Sequence, residues 1–121
     1  MSPGRGKAKG KKKQSKKKKH HVRGGILKVE LCNCAANPDW LELSKKNGDQ
    51  VQWKSADGGG YDITFVISPF AGSQFRVDPN GSTTSGKITV PYPIPPQGID
   101  FKYNIDGDSG CHQDPVIHIG P

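Results

Sequence analysis

The sequence predicts an all-β protein: a single antiparallel Greek-key β-sandwich of about seven short strands, preceded by a disordered basic arm. Apolar and polar residues alternate with a period of two in several segments between residues 26 and 119, which is the spacing of half-buried strands. Glycine- and proline-rich stretches separate these segments and break any helical spacing. The first 24 residues differ in composition from the rest, because they contain eleven basic residues and no acid.

The basic arm, residues 1–24, is a low-complexity segment rich in Lys, Gly and Ser. It cannot bury enough apolar surface to offset the entropy of ordering, so we expect it to be disordered in isolation. Because 11 of the 18 basic residues lie in the arm, seven remain in residues 25–121 against 11 acids, which is a net charge of −4. The sequence therefore predicts a polybasic arm followed by an acidic sandwich domain, residues 25–121. The basic residues of the arm are Arg5, Lys7, Lys9, Lys11, Lys12, Lys13, Lys16, Lys17, Lys18, Lys19 and Arg23.

The alternation predicts the strands of the sandwich domain in chain order. In the first predicted strand Leu27, Val29 and Leu31 alternate with charged residues. The third predicted strand follows a Lys-Asn-Gly-Asp turn. The fourth begins after a run of three glycines. Seven short strands over about a hundred residues are typical of an antiparallel Greek-key sandwich. The predicted strands lie in residues 26–31, 41–43, 51–53, 63–67, 88–90, 101–105 and 116–119.

Several motifs resemble the pattern of the cupredoxin family. A strand led by Pro38 precedes a Gly-Asp-x-Val-x-Trp strand at residues 48–53, and Tyr-Asp-Ile-Thr-Phe at residues 61–65 is similar to the family's ligand-bearing strand start. Residues 96–105 are similar to its Pro-x-Gly-x-Tyr-x-Tyr-x-Cys strand, and residues 114–119 resemble its closing strand. The resemblance covers most of residues 26–119 and implies a cupredoxin-like sandwich of the plastocyanin or azurin type.

The same resemblance implies that the usual blue-copper ligands are missing. The family's first ligand, a His, falls at Tyr61, and its Cys ligand falls at Ile105, which has no donor atom. Cys111 and His112 lie in the loop that would carry ligands, but they are adjacent, whereas the family separates its Cys and His. The resemblance thus implies the scaffold without the copper cofactor. The alternative is a copper-binding, electron-transfer protein with a rearranged ligand set drawn from Cys111, His112, His118 and Tyr61.

The three cysteines leave at least one thiol unpaired in a monomer, which is typical of a reducing compartment. Cys32 and Cys34 lie two residues apart near the end of the first strand, about 6 to 7 Å from each other. We interpret them as a pair of strand thiols, because zinc sites usually contain a second Cys pair. Cys111 and His112, the candidate metal ligands, could complete a site with them only if their loop folds back onto the first strand.

Other candidate residues have structural interpretations. We expect His118, between two isoleucines, to face solvent or the rim, and Tyr61 to pack or to donate a hydrogen bond at the end of its loop. The segment at residues 106–110 is similar to a calcium-loop fragment but lacks the later bidentate Glu, so we interpret it as a solvated turn. No Ser-His-Asp or Cys-His arrangement can be assembled, and the sequence therefore predicts no enzyme activity.

The N-terminus predicts the location of the protein. It has the charge of a signal peptide without an apolar core after it, and nothing approaches the roughly 18 apolar residues of a membrane-spanning helix. We therefore expect a cytoplasmic protein, or a nuclear one if the source is eukaryotic.

The arm gives the clearest indication of function. Its lysines would neutralise phosphates without reading bases, and it has no aromatic residue to stack on them. The sequence therefore predicts a non-enzymatic cupredoxin-like binding module whose arm binds nucleic acid or another polyanion non-specifically. An anionic membrane surface is a competing target, and a tail that only keeps the protein soluble or directs it to a compartment is a third alternative. The partner of the sandwich domain is not indicated.

Overall fold

A computed structural model describes residues 25–121 of the chain. The basic arm lies outside these residues. The predictions that concern it, its disorder and its eleven polyanion-binding side chains, therefore lie outside the described residues as well. Within residues 25–121 the protein is all-β, with eleven strands and no helix, which confirms the predicted fold class. The described part of the chain accordingly contains no helix that could span a membrane.

The strands are short, as the punctuation by glycine and proline predicts. In chain order they are β1 (Ile26–Cys32), β2 (Ala35–Asn37), β3 (Trp40–Ser44), β4 (Gln50–Ser55), β5 (Tyr61–Thr64), β6 (Gln74–Val77), β7 (Ser82–Thr84), β8 (Ile99–Lys102), β9 (Asn104–Gly107), β10 (His112–Gln113) and β11 (Val116–Gly120).

The eleven strands of residues 25–121 form three hydrogen-bonded sheets. The strand orders are β2-β1-β4-β7, β10-β9-β5-β6 and β3-β11-β8. Most neighbours are antiparallel, as predicted, but β1 runs parallel to β4 and β3 runs parallel to β11. Both β2, antiparallel to β1 in the same sheet, and β3, in another sheet, come between β1 and β4 along the chain, so the chain returns to the sheet at β4 parallel to β1. The sheets are therefore mixed rather than purely antiparallel.

Two predicted strands are shorter in the structure or absent from it. The segment at residues 88–90 makes only an isolated bridge, between Ile88 and Phe70, and the prolines that follow it cannot donate to a ladder. β5 ends at Thr64, and the predicted alternation matches burial only as far as Phe65. Phe65 is buried, whereas Val66 and Ile67 are 87% and 69% exposed.

The predicted strand at residues 101–105 is divided into β8 and β9. The division falls at Tyr103, whose side chain is buried and whose backbone N–H donates to the carbonyl of Pro115 at 3.1 Å. At this point the chain passes from the sheet of β3 and β11 to the sheet of β5. Alternation continues through the crossing because both sheets face the same core, which explains why the sequence shows one strand.

The core lies between the sheets and is centred on Trp53 of β4. The indole ring packs against Phe75 at 5.2 Å and Tyr103 at 5.7 Å between ring centroids, and Phe65 stacks on Tyr103 at 5.1 Å. The apolar positions of the predicted alternation supply much of the remaining buried core: Val29, Leu31, Leu41, Leu43, Val51, Ile63, Phe101, Ile105, Ile117 and Ile119. Burial of these side chains supplies the main driving force for folding.

Candidate functional site

A disulfide joins two loops at one end of the sandwich. Cys34 lies in the turn between β1 and β2, and Cys111 lies just before β10. Their Cα atoms are 5.8 Å apart although the residues are 77 positions apart in sequence. Asn33 and Cys34 both have positive φ angles, 51° and 66°, as the two central residues of a tight hairpin turn require. This turn places the Cys34 side chain, which is fully buried, toward the loop of Cys111.

The disulfide corrects the interpretation of Cys32 and Cys34 as a pair of thiols. The loop of Cys111 does fold back onto the end of the first strand, but it bonds to Cys34 through sulfur. All three cysteines are within the described residues, and Cys32 is the free and exposed one. The odd cysteine count predicted an unpaired thiol, and this is confirmed. A disulfide is typical of an oxidising compartment, whereas the count alone favoured a reducing one, and the location of the protein stays a prediction.

Tyr61, the first residue of β5, is held by the carboxylate of Asp57. The tyrosine hydroxyl lies 2.8 and 2.7 Å from the two carboxylate oxygens and donates its single hydrogen to this carboxylate. Backbone N–H groups of Asn33 and Gly59 donate to the same carboxylate at 2.8 and 2.9 Å. These donors, the Asn33 amide first, lower the pKa of Asp57 to about 2. Burial, followed by the Asp57 carboxylate, raises the pKa of Tyr61.

Gly107 of β9 allows the disulfide to pack close to Tyr61. A Cβ atom at this position would lie 2.5 Å from Sγ of Cys111, 3.0 Å from Sγ of Cys34 and 3.4 Å from the Tyr61 ring. A side chain at residue 107 would therefore displace the disulfide. Tyr61, Asp57, Cys34, Cys111 and Gly107 together define what we call the disulfide end of the sandwich.

The candidate metal ligands are not brought together at the disulfide end. A sulfur atom in a disulfide is not a thiolate, so Cys111 cannot supply the soft anionic ligand that a copper site needs. The ring of His112 is exposed and that of His118 is half-buried. Each bonds a carboxylate through Nδ1, His112 to Asp106 at 2.7 Å and His118 to Asp100 at 2.6 Å. These two histidines belong to different sheets.

Among residues 25–121 no three His, Cys, Asp or Glu side chains lie close enough to hold a metal ion. The oxidised domain therefore does not fit the copper ion that the cupredoxin scaffold implies. Metal binding by Cys111 and His112 requires the reduced thiol, and for the reduced protein it stays a prediction.

A cluster of charged side chains covers the outer face of β5, β6 and β9. The guanidinium of Arg76 donates two hydrogen bonds to Asp108, at 2.8 and 2.7 Å, and lies 3.4 and 3.5 Å from Asp62 and Asp78. The Arg76 hydrogen bonds lower the pKa of Asp108. The fragment similar to a calcium loop is thus a turn whose Asp108 carboxylate is bonded to Arg76.

A second surface, which the sequence did not indicate, surrounds Trp40. Trp40 is 51% exposed on the outer face of β3, and its ring stacks on His118 of β11 with 5.6 Å between centroids and 27° between planes. His118 faces the rim, as predicted, where its Nδ1 lies 2.6 Å from the Asp100 carboxylate. Beside Trp40 is a shallow hollow of about 380 Å³, lined by Asp39, Trp40, Gln113, Asp114, Pro115 and Val116. The sequence signal that could have located this surface is the place of Trp40 at an outward-facing position of the β3 alternation, opposite Leu41 and Leu43.

Comparison with known proteins gives structural neighbours only. No protein-family model matches the chain. No curated protein matches it either. Among solved structures, the chain is similar to a mutant of amicyanin in its reduced Cu(I) form at pH 4, with a TM-score of 0.54 and 12% identity over 81% of this chain and 85% of the other. A second amicyanin mutant in its Cu(I) form matches over the same shares with a TM-score of 0.55 and 11% identity.

A third neighbour, a reduced amicyanin mutant, has a TM-score of 0.55 and 10% identity, again over 81% of this chain and 85% of the other. At such low identity the likeness concerns the fold and not the chemistry. It agrees with the strand order and the motifs at residues 48–53 and 96–105, which were matched to the same fold by their sequence. The sandwich domain therefore has the cupredoxin fold.

Proposed function

We propose that this protein is a non-enzymatic cupredoxin-like binding module that its basic arm attaches to nucleic acid or another polyanion. The single observation that supports the proposal is the division of charge along the chain. Eleven basic residues lie in residues 1–24, and the remaining 97 residues carry a net charge of −4. The attraction to a polyanion is therefore assigned to the arm.

The chemistry of the arm favours binding without sequence specificity. Nine of its basic residues are lysines, which act as point charges on phosphates, and displacement of condensed counterions from the polyanion drives the association. The arm has no aromatic side chain that could stack on an unpaired base. We therefore propose that the arm binds both duplex and single-stranded nucleic acids, and that affinity depends on their charge density and on salt and not on base sequence.

At the disulfide end, the side chains are bonded to one another in place of a copper ion. Tyr61 donates to Asp57, and Cys111 is bonded to Cys34. These bonds support a structural role for the residues that correspond to a ligand end, and they support assigning the module to binding rather than to electron transfer.

The test is the salt dependence of binding by the full chain. A labelled DNA duplex of about 20 base pairs is titrated with protein at salt from about 50 to about 500 mM, and fluorescence anisotropy gives the affinity. A variant with glutamine at the seven clustered lysines, Lys11–Lys13 and Lys16–Lys19, removes seven positive charges from the arm. The slope of log affinity against log salt is negative, and we expect its magnitude to decrease by up to about 6. Each phosphate that is no longer neutralised decreases the magnitude by ~0.9.

The matched control replaces lysines of the sandwich domain. Lys28, Lys54 and Lys87 are exposed, and their replacement by glutamine should leave the slope unchanged. If the control lowers affinity as much per charge as the arm variant does, the assignment to the arm is wrong. If vesicles with anionic lipids bind the chain at physiological salt and duplex does not, the target is a membrane surface instead.

A further inference from the structure

The hollow beside Trp40 combines an aromatic ring with carboxylates. Trp40, Asp39 and Asp114 all line it. Trp40 is held in place by His118, and His118 is held by Asp100, yet 51% of Trp40 remains exposed. The tryptophan thus forms an aromatic platform at the surface, packed on one side against the His118 ring.

The charges around this platform are mostly negative. Asp39, Glu42, Asp100 and Asp114 are exposed on or beside the outer face of β3, β11 and β8. Lys102 is the only Lys or Arg within these three strands, and Lys45 and Lys46 follow the end of β3 that is farther from Trp40. Lys102 lies 3.6 Å from Asp114. Four carboxylates against the ammonium group of Lys102 give this face an excess of negative charge, and the His118 ring is hydrogen-bonded to one of the four, Asp100. We call this face, Trp40 with its hollow and the four carboxylates, the Trp40 face.

We propose that the Trp40 face binds a lysine-rich stretch of this chain's own basic arm. A lysine ammonium group is attracted both to the face of an indole ring and to nearby carboxylates. Asp39 and Asp114 line the same hollow as Trp40, so one ammonium group in the hollow has both kinds of group around it. The charged cluster at Arg76 offers carboxylates without an exposed aromatic ring, and is the less suitable face.

The position of the arm places its lysines within reach. The carbonyl of Gly25 accepts from the N–H of Gln50 at 2.9 Å, and Asp49, the residue before Gln50, accepts from the N–H of Ser44 at 2.9 Å. The arm therefore leaves the sandwich beside Ser44, the last residue of β3. Trp40 is four residues back along β3, or about 13 Å.

The clustered lysines can cover this distance. Lys16 and Gly25 are nine residues apart. An extended chain of that length spans up to about 30 Å, before the lysine side chain is counted. The cluster Lys16–Lys19 can thus reach the hollow without any rearrangement of the strands.

Binding in this way would regulate the proposed function. The same lysines cannot neutralise phosphates while they occupy the Trp40 face, so the domain competes with a polyanion for the arm. The competition rests on the proposed function, whereas the contact between the arm and the Trp40 face does not. The competition is expected to weaken polyanion binding most at low salt, where the attractions of the arm to the face and to the polyanion are both strongest.

The contact is tested in the full chain by paramagnetic relaxation. A spin label is attached at Ser15→Cys in a chain that also carries Cys32→Ser, so that the free thiol does not react. At about 20 mM salt we expect the label to broaden the NMR signals of Trp40, Val116 and His118, and about 500 mM salt to restore them. Absence of broadening would overturn the proposal. Broadening centred on Asp62 and Asp108 instead would overturn it as well.

A mixture of two chains, one with the spin label and the other with the isotope label, distinguishes two copies from one. Broadening in this mixture equal to that within one molecule would assign the contact to a second copy and overturn binding by the chain's own arm. Absence of broadening in the mixture, while a chain carrying both labels stays broadened after dilution into unlabelled chain, supports the proposal.

Competition is tested by removing the platform. Trp40→Ala and Asp39→Asn in the full chain should each raise affinity for duplex DNA at low salt by about threefold to tenfold, because the arm is released. The matched control is Asp78→Asn, an exposed acid outside the Trp40 face. Equal effects in the variants and the control would contradict the competition. If no variant binds duplex, the proposed function fails, and the spin-label result alone decides whether the contact exists.

Discussion

Tyr61 and Asp57 show how single residues settle the chemistry of the disulfide end. At Tyr61, where the resemblance to cupredoxins predicted the family's histidine ligand to fall, the chain has a phenol whose hydroxyl donates to the Asp57 carboxylate. Tyr61 is also buried, so both of its predicted roles, packing and hydrogen-bond donation, are confirmed. Asp57 itself joins three chain segments, because its donors come from the β1–β2 turn, the glycine run and β5.

A first prediction concerns the acid stability conferred by Asp57. Because the native pKa of Asp57 is about 2, below its ordinary value of 3.8, the unfolded state binds a proton more readily than the native state does. The stabilisation is therefore present above pH 4 and is lost as the pH falls toward 2. Asp57→Asn should remove this part of the pH dependence, which urea unfolding at a series of pH values between 2 and 6 will measure.

The control for this prediction is Asn33→Gly. Asn33 contributes its backbone N–H to Asp57, and glycine keeps that donor and tolerates the φ of 51°. The control should therefore retain the acid limb of the stability curve. An Asp57→Asn variant with the same limb as the unaltered protein would contradict the assignment to this carboxylate.

At the scale of elements, the disulfide connects the β1–β2 hairpin to the loop between β9 and β10. The two elements belong to different sheets, so the bond crosses between them. A crosslink between residues 77 positions apart restricts a long loop of the unfolded chain. In the chain-entropy account this restriction destabilises the unfolded state by about 4.5 kcal/mol.

A second prediction follows for the cysteines. Cys111→Ala should lower the free energy of unfolding by about 2 to 5 kcal/mol, because it removes the crosslink. Cys32→Ala, which alters the exposed free thiol, should change it by less than about 0.5 kcal/mol. Urea unfolding without reductant measures both variants, and thiol titration of the folded protein should find one reactive thiol. Equal stability of the two variants would show that the disulfide does not contribute.

The elements that the sequence predicts correctly are those whose burial decides their pattern. Val29, Leu31, Val51 and Trp53 alternate because one face of each strand is buried in a shared core, and the order of the motifs was enough to indicate the fold. The partners of the strands were less predictable, since the parallel pairing of β1 with β4 depends on where β3 lies in space.

The candidate site was less predictable because it, too, depends on how separate segments of the chain are arranged in space. Cys34 and Cys111 are brought together by a hairpin turn and a loop that have no periodic pattern, so neither residue signals its partner. Two of the hydrogen bonds to Asp57 come from backbone N–H groups, which the sequence does not specify. The Trp40 face was not predicted because its members come from three separate segments of the chain.

At the scale of the whole molecule, the net charge of +7 is the sum of two unlike parts. The arm carries eleven positive charges and the sandwich domain a net −4. Within the domain the acids are not spread evenly, since two groups of carboxylates lie on the Arg76 cluster and on the Trp40 face. Each part should therefore influence the other most strongly when salt is low.

A third prediction concerns the effect of a polyanion on the stability of the folded domain. A ligand that binds only the native state raises stability by about 2.7 kcal/mol at a hundredfold excess over its Kd, which would raise the Tm of a domain of this size by roughly 10 °C. The arm presents the same lysines whether the sandwich is folded or unfolded, so duplex bound through the arm alone should stabilise neither state. We expect saturating duplex to change the Tm by less than about 2 °C, and to lower it slightly if duplex withdraws the arm from the Trp40 face.

Differential scanning calorimetry at low salt, with and without duplex, measures this shift. A rise of several degrees would mean that the folded sandwich forms part of the polyanion-binding surface, and the assignment of binding to the arm would then be wrong.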